Sequence, residues 1–197
     1  MENTCENEIR KINIIVIGES NVGKSSLVRR FIEGEFYDDE RPTILAETKY
    51  KNITHNLEKI ELEIFDVSGL HDYRSLVSMI FRNLNGSNEN RFGLILVYDV
   101  TCIKSFENLT KWYQQLELTD QCNIVKIVIG NKIDLRDNIK ISIHRGQEFS
   151  KKFNAGFFET SAANDLNVQN AFESLIEMLL NDKEKERKNC FSACKCQ

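Results

Sequence analysis

The 197-residue chain contains one proline and nine glycines, too few for a linker-rich or repetitive protein. It has no apolar run long enough to cross a bilayer. The longest, such as Phe92 to Val100, fall far short of the roughly twenty residues a membrane helix needs. Met1 to Arg10 is polar and acidic, without the apolar centre of a signal peptide. A basic surplus is missing too: the formal net charge of -4 gives no electrostatic footing for nucleic acid, whose binders carry a basic face or stripe. Six cysteines are present, but not spaced as a disulfide framework. Cys190, Cys194 and Cys196 crowd the last eight residues, while Cys5, Cys102 and Cys122 lie scattered. That distribution fits a cytosolic chain with reactive cysteines at its tail.

What is present has globular proportions: 41% hydrophobic and 28% charged residues, in a length that supports one domain with a substantial core. Strand-like and helix-like segments alternate, the pattern of an α/β protein with a mostly parallel sheet. Ile12 to Ile17 reads as a first strand that leads directly into a glycine-containing loop. Lys24 to Ile32 places Leu27, Val28 and Phe31 at helical spacing, with Gly34 as a stop. Lys49 to Leu57 and Lys59 to Val67 predict a hairpin, whose second arm alternates Ile60, Leu62 and Ile64 with Glu61 and Glu63. The apolar runs Gly93 to Val100 and Ile124 to Ile129 predict strands buried on both faces. Helices are expected at Ser75 to Leu84, Lys104 to Leu116, Ile143 to Phe153 and Val168 to Leu180, with a short strand at Phe157-Phe158. The asparagine-rich stretch Asn83 to Arg91 reads as a solvated loop insertion, and the charged sequence from Asn181 onward as a mobile tail.

Gly18-Glu19-Ser20-Asn21-Val22-Gly23-Lys24-Ser25 fits the phosphate-binding pattern G-x-x-x-x-G-K-[ST] in full, between a strand and a helix. Glycines there let backbone N–H groups wrap phosphates at a helix N-terminus, with Ser20, Asn21, Val22 and Ser26 completing the cradle. Lys24 is expected to reach the β/γ-phosphates, and the Ser25 hydroxyl to bind Mg²⁺. Thr43, between the first helix and the second strand, is placed to complete the metal shell only when a γ-phosphate is present. Asp66 ends the alternating strand and aims its carboxylate at the magnesium, and Gly69 offers a backbone N–H to the γ-phosphate. Losing that phosphate would release two loops at once. Asn131-Lys132-Ile133-Asp134 follows a buried strand, at the sheet end where ligands of open α/β folds bind. A carboxylate at Asp134 can accept hydrogen bonds from the guanine N1–H and 2-amino groups, a donor pair that adenine lacks. Within Glu159-Thr160-Ser161-Ala162, the Ala162 N–H is the expected contact for guanine O6.

These motifs, in this order and spacing, resemble the Ras superfamily of small GTPases over about residues 9 to 180. The Glu-Ser pair in the phosphate loop, Val97-Tyr98-Asp99-Val100-Thr101 followed by Ser105-Phe106, Gly130 to Leu135 and the paired tail cysteines are similar to the Rab branch. The resemblance implies a P-loop NTPase fold, a six-stranded, mostly parallel sheet with helices on both faces. It divides the chain into an N-terminal extension at 1–8, a nucleotide-binding G domain at 9–180 and a flexible hypervariable tail at 181–197. It further implies GTP or GDP with Mg²⁺ as ligands, Phe36 against the guanine edge, and Asn131, Lys132, Asp134, Ser161 and Ala162 reading the base. The expected partners are effectors at the Thr43 and Leu70 switch regions, an exchange factor, a GTPase-activating protein, and machinery for prenyl transfer and membrane extraction. The expected place is the cytoplasmic face of an endomembrane, with a soluble cytosolic pool, in vesicle traffic.

The sequence departs from this family at Leu70, where a glutamine normally orients the attacking water. Leucine forms no hydrogen bond to water, so slow intrinsic hydrolysis is expected from a family rate already only ~10⁻⁴ per second. Among the candidate catalytic positions, Leu70, Lys24 and Gly69, only the first is altered. A partner that supplies the missing group is one alternative, a pseudo-GTPase that holds GTP without turnover a second, and a Ras- or Rho-like signalling role, with Pro42-Thr43 in its favour, a third. His71 sits beside the reaction site, but phosphoryl transfer relies on positioning and charge rather than on such a base. Ile44 to Glu47, Leu70 to Tyr73, Ala163 and the long Asn83 to Arg91 stretch also differ from the usual Rab pattern, all on surfaces that partners read. In the tail, Cys194-Lys195-Cys196-Gln197 fits either a C-a-a-X box or a Cys-x-Cys pair with one extra residue. Both make it a prenylation site, with Cys190 available for a second lipid. From Asp182 to Gln197 five basic residues face three acids, a weak patch, so stable anchoring calls for two lipid chains.

Overall fold

A computed structural model describes residues 10–38, 43–70, 77–80, 91–117 and 124–193. The elements follow the expected alternation: β1 (Arg10–Ile17), α1 (Lys24–Glu33), β2 (Ala46–His55), β3 (Glu58–Val67), β4 (Arg91–Asp99), α2 (Ile103–Glu107), α3 (Leu109–Glu117), β5 (Val125–Asn131), α4 (Ile143–Lys152), β6 (Gly156–Glu159) and α5 (Val168–Ala193). The six strands lie in the order β2-β3-β1-β4-β5-β6, with β2 and β3 antiparallel and every other pair parallel. This is the expected α/β architecture of a P-loop NTPase.

The central strands β1, β4 and β5 carry largely apolar runs because both faces are covered. In β1, Ile12, Ile14 and Val16 pack on one side with Leu27, Val28 and Phe31 of α1 and Phe172 and Leu175 of α5. Ile15 and Ile17 pack on the other side, with Leu94, Leu96, Tyr98, Leu109 and Trp112. The order of strands puts the carboxyl ends of β1, β3, β5 and β6 along one edge, which is where the candidate residues gather.

Several boundaries differ from the sequence expectation. The hairpin turn falls at Asn56-Leu57, both in the left-handed region at φ 48 and 69, the pattern of a two-residue turn between twisted strands. The segment Lys104 to Leu116 forms two helices, α2 and α3, divided at Asn108. Asparagine favours such breaks because it is a weak helix former whose side chain can compete with helical hydrogen bonding. The final helix does not stop at Leu180 but continues to Ala193. The tail expected to be mobile from Asn181 is therefore helical for most of its length, because 182–188 is built of strong helix formers with acids and bases three and four residues apart. Of the helix expected at Ser75 to Leu84, residues 77–80 are helical. Residues 71–76, the insertion at 83–90 and the cysteines at 194 and 196 lie outside the described residues.

Phe172 is fully buried and stacks on Phe31, with ring centroids 4.2 Å apart and planes 5° from parallel. The pair joins α5 to α1, the helix that follows the phosphate loop. Phe172→Ala is expected to destabilise the fold by about 3–5 kcal/mol, seen as a lower urea midpoint at unchanged slope.

Candidate functional site

The phosphate loop is shaped by backbone conformations that side chains resist. Gly23 has φ 91, and a Cβ there would stand 2.3 Å from the Asn131 amide nitrogen. Gly23 occupies the N-cap position of α1, no side chain caps that end, and the first turn carries no acid. The helix therefore presents its leading N–H groups and positive dipole end to an anion. Lys24 is buried, and its Nζ donates to the carbonyls of Gly18 at 3.1 Å and Glu19 at 2.9 Å. Burial lowers its pKa to about 8, against the opposing pull of Asp66 and Glu19. An arriving phosphate would supply the negative charge that favours the ammonium form.

Ser25, the next residue, lies where two distant segments converge. Its Oγ donates to Asp66 Oδ2 at 2.5 Å and lies 2.9 Å from Thr43 Oγ1. The three expected metal ligands thus share one point, with oxygen donors of the kind a hard cation takes. Among the described residues no group of three or more His, Cys, Asp or Glu side chains could hold a metal. A donor set of one carboxylate and two hydroxyls fits Mg²⁺, which keeps waters and substrate phosphates in its shell rather than requiring a full protein cage.

The base-binding end is organised around Asn131, 1% exposed at the end of β5. Its Nδ2 donates to the carbonyl of Val22 at 3.0 Å, and its Oδ1 accepts from the Thr160 hydroxyl at 3.1 Å and the Ala162 N–H at 3.2 Å. Lys132 spans the same loops: its Nζ donates to the carbonyl of Asn21 at 2.6 Å and pairs with Asp99 at 2.9 Å. Ser161 Oγ donates to Asp134 Oδ1 at 2.5 Å and fixes that carboxylate at the mouth of the cleft. Together these groups enclose a cleft of about 400 Å³ that runs from Ser25 and Thr43 to Asp134 and Ala162.

Over residues 13–181 the sequence matches the model of the Ras family. The chain is a Ras-family protein of the Rab branch. It is 35% identical over 169 residues to the Ras-related protein Rab-30 of Homo sapiens, covering 86% of this chain and 80% of that relative. It is 38% identical over 173 residues to Rab-18 of Lymnaea stagnalis, covering 87% and 82%. With RABA4b of Arabidopsis thaliana the figures are 35% over 173 residues, 88% and 74%. Proteins of the Ras and Rab families are in general GTPases that bind GTP or GDP with Mg²⁺.

In this Ras-family chain the cleft is lined by Ser20, Asn21, Gly23, Lys24, Ser25, Ser26, Phe36, Thr43, Gly69, Asn131, Lys132, Asp134 and Ala162. Gly18, Val22, Asp66 and Ser161 stand behind that lining and act on it through the hydrogen bonds already described. Leu70 is outside it. Its side chain is exposed, and its N–H makes a long 3.4 Å contact with the Ser68 hydroxyl. Tyr37 and Asp38 also line the cleft and belong to none of the motifs, and Leu135 and Ala163, which flank the base-reading residues, line it too. Leu135 directly follows Asp134 and stays 42% exposed, an apolar wall beside the base-reading carboxylate. Arg30 was missed altogether. It donates through Nε to the carbonyl of Ala162 at 2.9 Å and through Nη2 to that of Ala163 at 3.1 Å, clamping the base loop from α1.

Gly69 closes the phosphate side. A Cβ there would lie 2.2 Å from the Ser20 backbone nitrogen and 2.5 Å from the Glu19 carbonyl oxygen. Gly69→Ala is expected to push the 68–70 turn off the phosphate loop and to cost about tenfold in affinity for GTP, with GDP affected less. Competition titration with both nucleotides measures the difference.

Proposed function

We propose that this Rab-branch protein is a guanine-nucleotide switch in vesicle traffic, with slow intrinsic GTP hydrolysis. The convergence of Ser25, Thr43 and Asp66 at the head of the phosphate loop is the observation that carries the reading. Those three residues would hold Mg²⁺, which when bound would neutralise charge on the β- and γ-phosphates. Lys24 and the α1 N-terminus bind the phosphates, and Asp134 accepts from the guanine donors while Ser161 keeps it oriented. Phe36 closes the base edge; it packs against the core below, with the Arg30 guanidinium 6.0 Å from its ring.

The switch needs a link between the two segments that sense the γ-phosphate. The Ser68 N–H donates to the carbonyl of Leu45 at 2.7 Å, so the turn bearing Gly69 and the segment bearing Thr43 are already joined, one residue from the glycine and two from the threonine. A γ-phosphate held by Thr43 and the Gly69 N–H stabilises both, and its loss frees both. Effectors then distinguish the two states at this face, where Ile44, Leu45 and Leu70 are all exposed. An exchange factor releases GDP so that GTP can enter, and a GTPase-activating protein speeds hydrolysis of the bound GTP to GDP and phosphate. Prenylation at Cys194 and Cys196 provides the membrane anchor on the cytoplasmic face, reversed by extraction machinery. The described residues contain no helix long and apolar enough to cross a membrane.

Leu70 also favours a second reading, a binding module that holds GTP and recruits effectors without turnover. Single-turnover hydrolysis of bound GTP separates the two. The switch reading expects slow loss of GTP that Leu70→Gln accelerates by about tenfold or more. No turnover in either protein would establish the binding module, and equal turnover in both would show that Leu70 does not limit the reaction. For the base, Asp134→Asn replaces one acceptor with a donor and so suits the C2 carbonyl of xanthine. Affinity for GTP should fall about a hundredfold, and affinity for xanthosine triphosphate should rise. Unchanged GTP binding would remove Asp134 from base recognition.

A further inference from the structure

The phosphate loop contains an acid. Glu19 directly follows Gly18, in a segment whose task in the proposed function is to surround polyphosphate, and a carboxylate free to enter that cradle would repel it. Glu19 nevertheless does not line the cleft, although its neighbours Ser20 and Asn21 do. Its Oε1 accepts a hydrogen bond from the indole Nε1–H of Trp112 at 2.9 Å. Trp112 is the only tryptophan of the chain and is fully buried in α3, packed in the same apolar cluster as Val77, Leu94, Tyr98 and Leu109. The donor is therefore held in the core, and it is not among the residues that line the nucleotide cleft.

We infer that Trp112 is a positioning residue for nucleotide retention: its indole N–H holds the Glu19 carboxylate turned out of the phosphate cradle. The inference rests on the nucleotide-binding reading and adds a residue from outside every phosphate motif. Two further contacts make the position of Glu19 consequential. Its carbonyl accepts from Lys24 Nζ at 2.9 Å, and the Gly69 turn lies directly against its backbone. A Glu19 side chain that swings inward brings a negative charge to the phosphates and disturbs both contacts. A hydrogen bond to a charged group is directional and short enough to prevent this, and packing alone would not orient the carboxylate.

The test is the release rate of a fluorescent N-methylanthraniloyl-GDP from the full chain in Mg²⁺ buffer. Trp112→Phe keeps an aromatic ring in the core and removes the N–H, and it should speed release about tenfold. Adding Glu19→Gln to Trp112→Phe removes the charge and should recover most of that loss, with the single Glu19→Gln protein completing the cycle. A purely structural tryptophan predicts no rescue, because neutralising residue 19 does nothing for a damaged core. Unchanged release in Trp112→Phe, or faster release without rescue, overturns the inference. Where circular dichroism shows Trp112→Phe to be poorly folded, benzothienylalanine at position 112 keeps the shape, lacks the N–H and takes its place. If the unaltered protein binds no guanine nucleotide, the functional reading itself fails, an outcome distinct from either of these.

Discussion

The amide of Asn131 joins parts of the site that the chain supplies from far apart. One side-chain nitrogen reaches the phosphate loop at Val22, and one oxygen gathers the Thr160 hydroxyl and the Ala162 N–H from the loop after β6. All three bonds are buried, so none is exchanged with water at low cost, and loss of the residue would leave several polar groups unpaired in the interior. The distance between the phosphate end and the base end of the cleft follows from this one side chain. Arg30 and Lys132 reinforce the same spacing from opposite sides, through carbonyls of Ala162 and Asn21.

Against that fixed frame, the metal corner is held together by a chain of hydroxyls and one carboxylate. Thr43, Ser25 and Asp66 come from a loop, a helix and a strand, and their side chains meet at one point. Their mutual hydrogen bonds satisfy polar groups that would otherwise face one another at a cost. Lys24, desolvated one residue away, is a charge stored in a low-dielectric setting, where its attraction for phosphate is stronger than it would be in water.

The parts of this arrangement that were legible in the sequence are those that impose a fixed backbone demand or a distinctive side chain at a fixed spacing. Gly23 and Gly34 both adopt positive φ where the pattern asked for a loop and a stop, and Asp134 and Lys24 stand in the cleft as the motifs placed them. Edges were harder. The first residues of β2, Ala46 to Thr48, pair with Val67 to Phe65, yet they carry no apolar alternation because an outer strand is only half covered. The extension of α5 was hidden for a related reason: 182–188 is charged at every position, so propensity and not an apolar stripe sustains it. Arg30 and Trp112 were invisible because their partners lie 132 and 93 residues away and one of them is a backbone carbonyl, which any residue could provide.

The length of α5 bears on the proposed lipid attachment. From Leu180 to Ala193 the helix adds about 20 Å of axial rise ahead of the cysteines of the tail. Under that proposal the helix would act as an arm of set length between the nucleotide-binding body and its anchor, and the surface bearing Ile44 and Leu70 would sweep an arc instead of sampling every orientation.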